Sequence, residues 1–177
     1  MNALSGLQKS CQFNILQDHV GLISVAHQAV LRLSSFSNMV DMKTTHTSLP
    51  FAGHTLHFVE FDPASFREQD LLWLPHYAQL QHAGRKRKTE HLAGRIAAIY
   101  ALREYGYKCV PAIGELRQPV WPAGVYGSIS HCGTTALAVV SRQPIGIDIE
   151  EIFSVQTARE LTDNILSLIH ISEPTRL

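Results

Sequence analysis

The sequence predicts an α+β fold, on the basis of two observations and one missing pattern. Four short segments have the composition or alternation of strands, at 55–61, 125–130, 136–141 and 145–150. One long segment, 82–105, instead repeats apolar residues at helical spacing. Helices and strands do not alternate with a regular βαβ rhythm, so a mixed fold with antiparallel strands is favoured.

The N-terminal region has an apolar stretch, Val20–Leu33, which predicts an amphipathic helix. It contains His27 and Arg32 and lacks the roughly 20 apolar residues of a membrane span. No integral membrane segment or secretory signal is expected here. The composition then shifts to Ser and Asn, so residues 1–41 are expected to be an extension outside the main domain. An ordinary N-terminal helix packed on the domain remains the alternative.

The first predicted strand, 55–61, is followed by two short helices within 65–80 that Pro75 separates. The main helix, 82–105, carries an apolar stripe along one face. Gly106 ends it, because glycine accepts the left-handed conformation that a helix C-terminus often requires.

The C-terminal half begins with a loop rich in Pro and Gly at 111–124. The strands 125–130 and 136–141 then form a predicted hairpin with its turn at 131–135. The alternating strand 145–150 follows. A last helix, 155–166, is predicted with Ser154 as its N-cap.

Composition excludes several classes of protein. The chain has 177 residues, of which 45% are hydrophobic and 17% charged, as expected of a globular protein without extensive disorder. Fifteen basic residues balance fifteen acidic residues, so a dedicated nucleic-acid-binding protein is not expected. Three cysteines without a C-x-x-C pair exclude a disulfide framework and a zinc finger, and they favour a reducing, cytoplasmic setting.

Two carboxylates in the last predicted strand form a candidate metal site. Asp148 and Glu150 are two residues apart, so they share one face of the strand about 7 Å apart while Ile147 and Ile149 enter the core. Magnesium is typically bound by one or two carboxylates together with water and phosphate oxygens. The alternative is a solvated strand edge with scattered acids.

A basic run opens the main helix and forms a candidate phosphate site. Residues 85–88 are all Arg or Lys, and Arg87, His91 and Arg95 follow one helix face at intervals of four. Guanidinium groups bind phosphate oxygens in pairs, so such a face suits a phosphate. The alternatives are a solvated helix end and a nucleic-acid contact at 85–88.

His131 follows the predicted strand in the run G-S-I-S-H, 127–131, where its ring can bind a phosphate or a backbone group. The alternative is a structural histidine that the turn itself satisfies. The run does not match the G-x-S-x-G motif of a hydrolase. Three further histidines, His46, His54 and His57, lack metal-ligand spacing and are interpreted as surface or core residues.

Four runs in this order resemble the surfactin-type 4′-phosphopantetheinyl transferases. They are R-K-T-E-H-L-A-G-R at 87–95, Q-P-V-W-P at 118–122, G-S-I-S-H at 127–131 and G-I-D-I-E at 146–150. The resemblance extends from about residue 42 to residue 164. It implies the first lobe of a two-lobe, pseudo-symmetric fold together with the start of the second lobe.

The resemblance implies a magnesium-dependent transferase. The family moves the 4′-phosphopantetheine arm of coenzyme A to a serine of a carrier protein and releases adenosine 3′,5′-bisphosphate. The implied partners are the aryl or peptidyl carrier proteins of a siderophore-making non-ribosomal peptide synthetase. By the same resemblance, His131, Arg87 and Arg95 hold coenzyme A phosphates, and Asp148 and Glu150 are the first two magnesium ligands.

One family motif, W/F-x-x-K-E, is absent from the sequence. In the family its glutamate is a third metal ligand and its lysine assists catalysis. Residues 165–177 do not resemble the family, so a shortened second lobe with an unrelated tail is expected, and the chain itself is expected to be inactive. The alternative function is a non-catalytic module that binds coenzyme A or a carrier protein. A cytoplasmic location is expected, with peripheral membrane association as part of a synthetase complex possible by resemblance.

Overall fold

The computed structural model describes residues 11–15, 19–21 and 40–151. Strands, one long helix and three short 3₁₀ helices make up the secondary structure of these ranges. The strands are β1 Cys11–Ile15, β2 His19–Gly21, β3 Thr44–Phe51, β4 His54–Phe61, β5 Ala112–Ile113, β6 Pro119–Val120, β7 Tyr126–Cys132, β8 Thr135–Ser141 and β9 Ile147–Glu151; the long helix is α1 Arg85–Glu104; and the 3₁₀ helices are Pro63–Ser65, Glu68–Trp73 and Tyr77–Leu80.

The main sheet has four antiparallel strands in the order β3-β4-β8-β7. Strand β8 is buried on both faces, and its alternating residues separate two cores. Ala136, Ala138 and Val140 pack in the cluster that contains helix α1. Leu137 and Val139 pack on the other side with residues of β9. A second antiparallel sheet, β2-β1-β9, joins β9 to the N-terminal strands.

Helix α1 is buried over a wider arc than its sequence predicts. All residues from Leu92 to Leu102 are buried, including several that lie outside the predicted apolar stripe. Small residues permit this close packing: a Cβ at Gly94 would lie only 2.9 Å from Cγ2 of Ile129 on β7. The sequence underestimated the buried arc because alanine and glycine carry little hydrophobic signal, although they let neighbouring elements approach closely.

The predicted end of the helix is confirmed. Gly106 has a φ of +82°, and the N–H of Tyr107 donates to the carbonyl oxygen of Leu102 at 3.1 Å. The predicted helix and the strands at 55–61, 125–130, 136–141 and 145–150 are present with small shifts at their ends.

Other expectations differ from the structure. The segment 65–80 forms 3₁₀ helices; at the start of Glu68–Trp73, Asp70 accepts hydrogen bonds from the backbone N–H groups of Asp41 and Arg67. The predicted turn at 131–135 is shorter, since β7 continues to Cys132 and a two-residue turn leads directly into β8. The predicted loop 111–124 contains the short strand pair β5–β6.

The structure describes only part of the N-terminal region for which the sequence predicts a helix and an extension. Val20, the first residue of the predicted amphipathic helix, lies in strand β2, and residues 22–33 fall outside the described ranges. The predicted helix 155–166 and the tail 165–177 also fall outside them. The boundary of an extension at residue 41 therefore stays a prediction.

Candidate functional site

Two side chains of the basic run at the start of α1 have structural contacts with the preceding segment. Arg85 donates to the carbonyl oxygens of Pro63 and Phe66 at 2.9 and 2.8 Å. Lys88 pairs with Glu68 at 2.9 Å and is almost buried. Two of the four cations are therefore used to attach the helix to the preceding segment, which weighs against a continuous nucleic-acid surface at 85–88.

Arg95 is a buried cation with little to compensate its charge. Arg95 is only 4% exposed, and its Nη2 donates a hydrogen bond to the carbonyl oxygen of Ala112 at 3.2 Å. Its Nε has no hydrogen-bond partner, and the ion pairs found in the described ranges do not include it. Burial and the charge of Arg87 lower the pKa of Arg95 to about 10. A guanidinium in this state favours an anion as partner.

His91 lies between these two arginines on the same face of α1. Its Nε2 is 2.9 Å from Nε2 of His76, which precedes the last 3₁₀ helix. Burial lowers the pKa of His91 to about 3, and electrostatic interactions with Arg95, His76, Arg87 and His131 contribute in that order. The imidazole of His91 is therefore neutral near pH 7. Arg87, Arg95, His91 and His131 are together called the cation cluster.

His131 reaches this cluster from strand β7. Its Nδ1 is 3.8 Å from Oε1 of Glu90, which is a buried carboxylate on α1. Lys86 approaches the same oxygen at 3.9 Å. Arg87, Arg95 and His131 all interact electrostatically with His91, so the structure places these three predicted residues around one histidine. Sequence reasoning did not identify Glu90 or His76 as members; Glu90 was visible only as the single acid within residues 85–95.

Strand β9 presents the two predicted carboxylates as expected. Asp148 and Glu150 are exposed, whereas Ile147 and Ile149 are buried. Oδ1 of Asp148 accepts hydrogen bonds from the hydroxyl of Ser130 at 2.7 Å and from the N–H of Ile149 at 3.0 Å. These contacts orient the carboxylate.

A magnesium ion fits this pair of residues. The donors are carboxylate oxygens, both are exposed on one strand face, and one of them is already oriented. Within the described part of the chain, no group of three or more His, Cys, Asp or Glu side chains has the arrangement of a metal site. Water and phosphate oxygens would supply the remaining ligands, as they usually do for magnesium.

Strand β7 carries contacts to both charged regions on alternating residues. Ser128 and Ser130 hydrogen-bond to residues of β9, whereas Ile129 and His131 approach α1. The period of two in a strand thus places the cation cluster and the carboxylate pair on opposite sides of β7. If the carboxylate pair holds a divalent cation, this arrangement suits a ligand with two separate negatively charged groups.

Part of the chain is similar to a known protein domain. Residues 76–141 match the family model described as the 4′-phosphopantetheinyl transferase N-terminal domain. The part of the fold that contains helix α1 and strands β5 to β8 is therefore similar to the N-terminal domain of such a transferase.

Individual proteins are also similar to this chain. The chain is 95% identical over 126 residues to enterobactin synthase component D of Escherichia coli K12, which covers 71% of this chain and 61% of that protein. It is 66% identical over 125 residues to enterobactin synthase component D of Salmonella typhimurium, covering 71% and 53%. The 4′-phosphopantetheinyl transferase PptT of Mycobacterium tuberculosis is 37% identical over 70 residues, covering 37% and 31%. The chain thus spans about 61% of the length of the Escherichia coli protein.

Among the described residues, no helix combines the length and the hydrophobicity needed to cross a bilayer.

Proposed function

We propose that this chain is part of a magnesium-dependent 4′-phosphopantetheinyl transferase that modifies a serine of the carrier proteins in enterobactin synthesis. The observation that carries the proposal is Arg95, a buried cation that lacks a carboxylate partner among the described residues. Similarity to enterobactin synthase component D and the match to the transferase domain support it. A cytoplasmic location is part of the proposal.

Two subsites correspond to two parts of coenzyme A. Arg87, Arg95 and His131 would bind the 3′-phosphate, because two guanidinium groups and an imidazole offer several donors to phosphate oxygens. Asp148 and Glu150 would hold magnesium beside the diphosphate. The 3′-phosphate and the diphosphate are attached to different carbons of the ribose, so two separate charged regions on either side of β7 are appropriate for this ligand.

The residues of the chain bind and orient the substrate. The bound metal would offset the negative charge that develops on the diphosphate during transfer. Ser130 holds the carboxylate of Asp148 in place, and the cation cluster fixes the far end of coenzyme A, so that the diphosphate is presented in one orientation. The W/F-x-x-K-E motif, which the resemblance associates with the catalytic base, is absent from the sequence. We therefore propose that the 177-residue polypeptide on its own binds coenzyme A without transferring its arm.

Titration and mass spectrometry test this proposal together. The purified polypeptide, shown to be folded by circular dichroism, is titrated with coenzyme A and then incubated with magnesium, coenzyme A and an apo carrier protein. We expect binding in the titration and no added phosphopantetheine mass on the carrier. Rapid modification would refute the proposed inactivity. Absence of binding would refute the proposed function of these residues, and binding without magnesium dependence would favour the alternative of a simple coenzyme A-binding module.

The carboxylate pair leads to a second prediction. Magnesium is expected to raise the affinity for coenzyme A, and Asp148→Asn is expected to abolish that increase while leaving metal-free affinity unchanged, because an amide binds hard cations weakly. Ser130→Ala is expected to reduce the increase by about tenfold, since it frees the orientation of Asp148. Glu151→Gln changes an exposed acid at the end of the same strand and serves as the matched control. An unchanged magnesium effect in Asp148→Asn would contradict the assignment.

A further inference from the structure

We propose that His76 is a positioning residue of the phosphate subsite: it holds His91 in the tautomer that carries its proton on Nδ1, and this N–H is a further donor to the phosphate. The inference deepens the proposed function and rests on it. His76 has no part in the sequence motifs discussed above, and it lies fifteen residues before its partner.

The two imidazoles form a single defined hydrogen bond. Their Nε2 atoms are 2.9 Å apart, and the ring planes are nearly perpendicular at 84°. Two ring nitrogens at this distance require one donor and one acceptor. The proton on the bridge therefore belongs either to His76 or to His91, and the surroundings of the other nitrogens decide between them.

Burial of His76 assigns the proton. His76 is 8% exposed, and its Nδ1 is buried without a hydrogen-bond partner. A proton on Nδ1 would leave a buried N–H without an acceptor, which is strongly unfavourable. A proton on Nε2 leaves only an unused acceptor at Nδ1, and proteins tolerate unpaired acceptors more readily than unpaired donors. His76 thus donates from Nε2, and Nε2 of His91 accepts.

This assignment determines what His91 offers to a ligand. A neutral imidazole with an acceptor at Nε2 must carry its proton on Nδ1. Among the described residues, the hydrogen bond to His76 is the only one that His91 makes, so its Nδ1 has no protein partner there. His91 is half-buried between Arg87 and Arg95, in the middle of the cation cluster. Its N–H is consequently available to the anion that these arginines attract.

A neutral donor suits this position. Two guanidinium groups already repel additional positive charge, and the pKa of His91 is lowered to about 3 by burial and by its positive neighbours. The ring can contribute to phosphate binding only through the N–H of its neutral form. The identity of the protonated nitrogen is therefore decisive, and His76 controls it.

Amide substitutions at His91 distinguish the two nitrogens. The amide nitrogen of Asn approximates the position of Nδ1, whereas that of Gln approximates Nε2. We expect His91→Asn to keep the preference of the folded chain for coenzyme A over 3′-dephospho-coenzyme A, and His91→Gln to reduce that preference about tenfold. Equal preference in both variants and in the unaltered chain would overturn the inference, whereas failure of the unaltered chain to bind coenzyme A would overturn the proposed function.

Substitutions at His76 test its positioning role separately. His76→Gln keeps a donor near Nε2 and is expected to preserve the preference for the 3′-phosphate. His76→Leu removes the donor but fills a similar volume, and it is expected to lower that preference. A purely structural role would not be rescued by Gln alone.

The tautomer itself is measurable without a ligand. Long-range ¹H–¹⁵N correlation spectra of the unaltered protein report which nitrogen of His91 is protonated. We expect Nδ1–H in the unaltered chain and in His76→Gln, and a mixture of tautomers in His76→Leu. Protonation at Nε2 of His91 in the unaltered chain would overturn the inference even if every variant failed to fold.

Discussion

Acidification from pH 7 to pH 4 is expected to destabilise the folded chain by roughly 3–6 kcal/mol, because a buried pair of histidines must remain neutral. His46 and His57 face each other across strands β3 and β4, with Nε2 and Nδ1 3.0 Å apart. The ring of His46 also stacks on Tyr100 of helix α1, with centroids 3.6 Å apart. The pair therefore lies at the contact between the sheet and the helix.

Burial dominates the electrostatics of this pair. It lowers the pKa of His57 to about 4, and it lowers the pKa of His46 to about 4 together with repulsion from His57. Glu104 lies 3.2 Å from Nε2 of His57 and would favour a charged imidazole. Its side chain is 42% exposed, however, so water screens its charge and burial prevails.

The direction of the pH effect follows from these shifts. Well above pH 6.5 both histidines are neutral in the folded and the unfolded chain, so they do not reduce the free energy of unfolding. Between pH 6.5 and about 4 the unfolded chain binds protons that the folded chain does not. The free energy of unfolding therefore decreases as the pH is lowered. The full shift corresponds to about 3 kcal/mol for buried His57 and to less for the partly exposed His46. Such a loss is a large part of the 5–15 kcal/mol that is typical of a domain.

Urea unfolding at a series of pH values between 7 and 4.5 measures this effect. His46→Gln keeps a donor near Nε2 but cannot be protonated, so the slope of unfolding free energy against pH is expected to decrease, while His57, His76 and His91 account for the slope that remains. His82→Gln alters an exposed histidine and is the matched control. A chain with equal stability at pH 7 and pH 4.5 would contradict the prediction.

The sequence predicted elements whose pattern is local and missed those that depend on neighbours. Alternating apolar residues identified β4 and β9, and periodicity identified α1. Strand β3 was missed because its sequence, T-T-H-T-S-L-P-F, is polar and contains Pro50. It forms because it is an edge strand, where a residue without an N–H is tolerated and β4 supplies the pairing.

In the candidate site, too, the sequence predicted the local features and missed those that depend on packing. Spacing alone placed Arg87 and Arg95 on one helix face, and it placed Asp148 and Glu150 on one strand face. It could not show that Arg95 is buried without a carboxylate, since that depends on packing against distant segments. Partners such as His76 also come from elsewhere in the chain, and no local pattern relates them to the residues they contact.

Arg95→Met is expected to weaken coenzyme A binding by roughly 10- to 100-fold, the largest loss we expect from a single substitution in the cation cluster. Arg95 is buried, so its bonds to a phosphate would form away from water, where charge-assisted hydrogen bonds contribute about 1.5–3 kcal/mol. Arg87 is exposed, and Arg87→Met is expected to have a smaller, salt-dependent effect. Titration calorimetry at two salt concentrations separates the two variants.

The same substitution is expected to leave the unliganded chain at least as stable as before. Burial lowers the pKa of Arg95 from 12.5 to about 10, so keeping the guanidinium charged in the folded state costs on the order of 3 kcal/mol at neutral pH. Methionine removes that cost and fills a similar volume, whereas the lost bond to Ala112 contributes only about 1 kcal/mol. Weaker binding with undiminished unfolding free energy would mean that Arg95 is retained for the anion. Weaker binding accompanied by a loss of several kcal/mol would instead assign Arg95 a structural role, because the bound anion and the folded core would then depend on the same side chain.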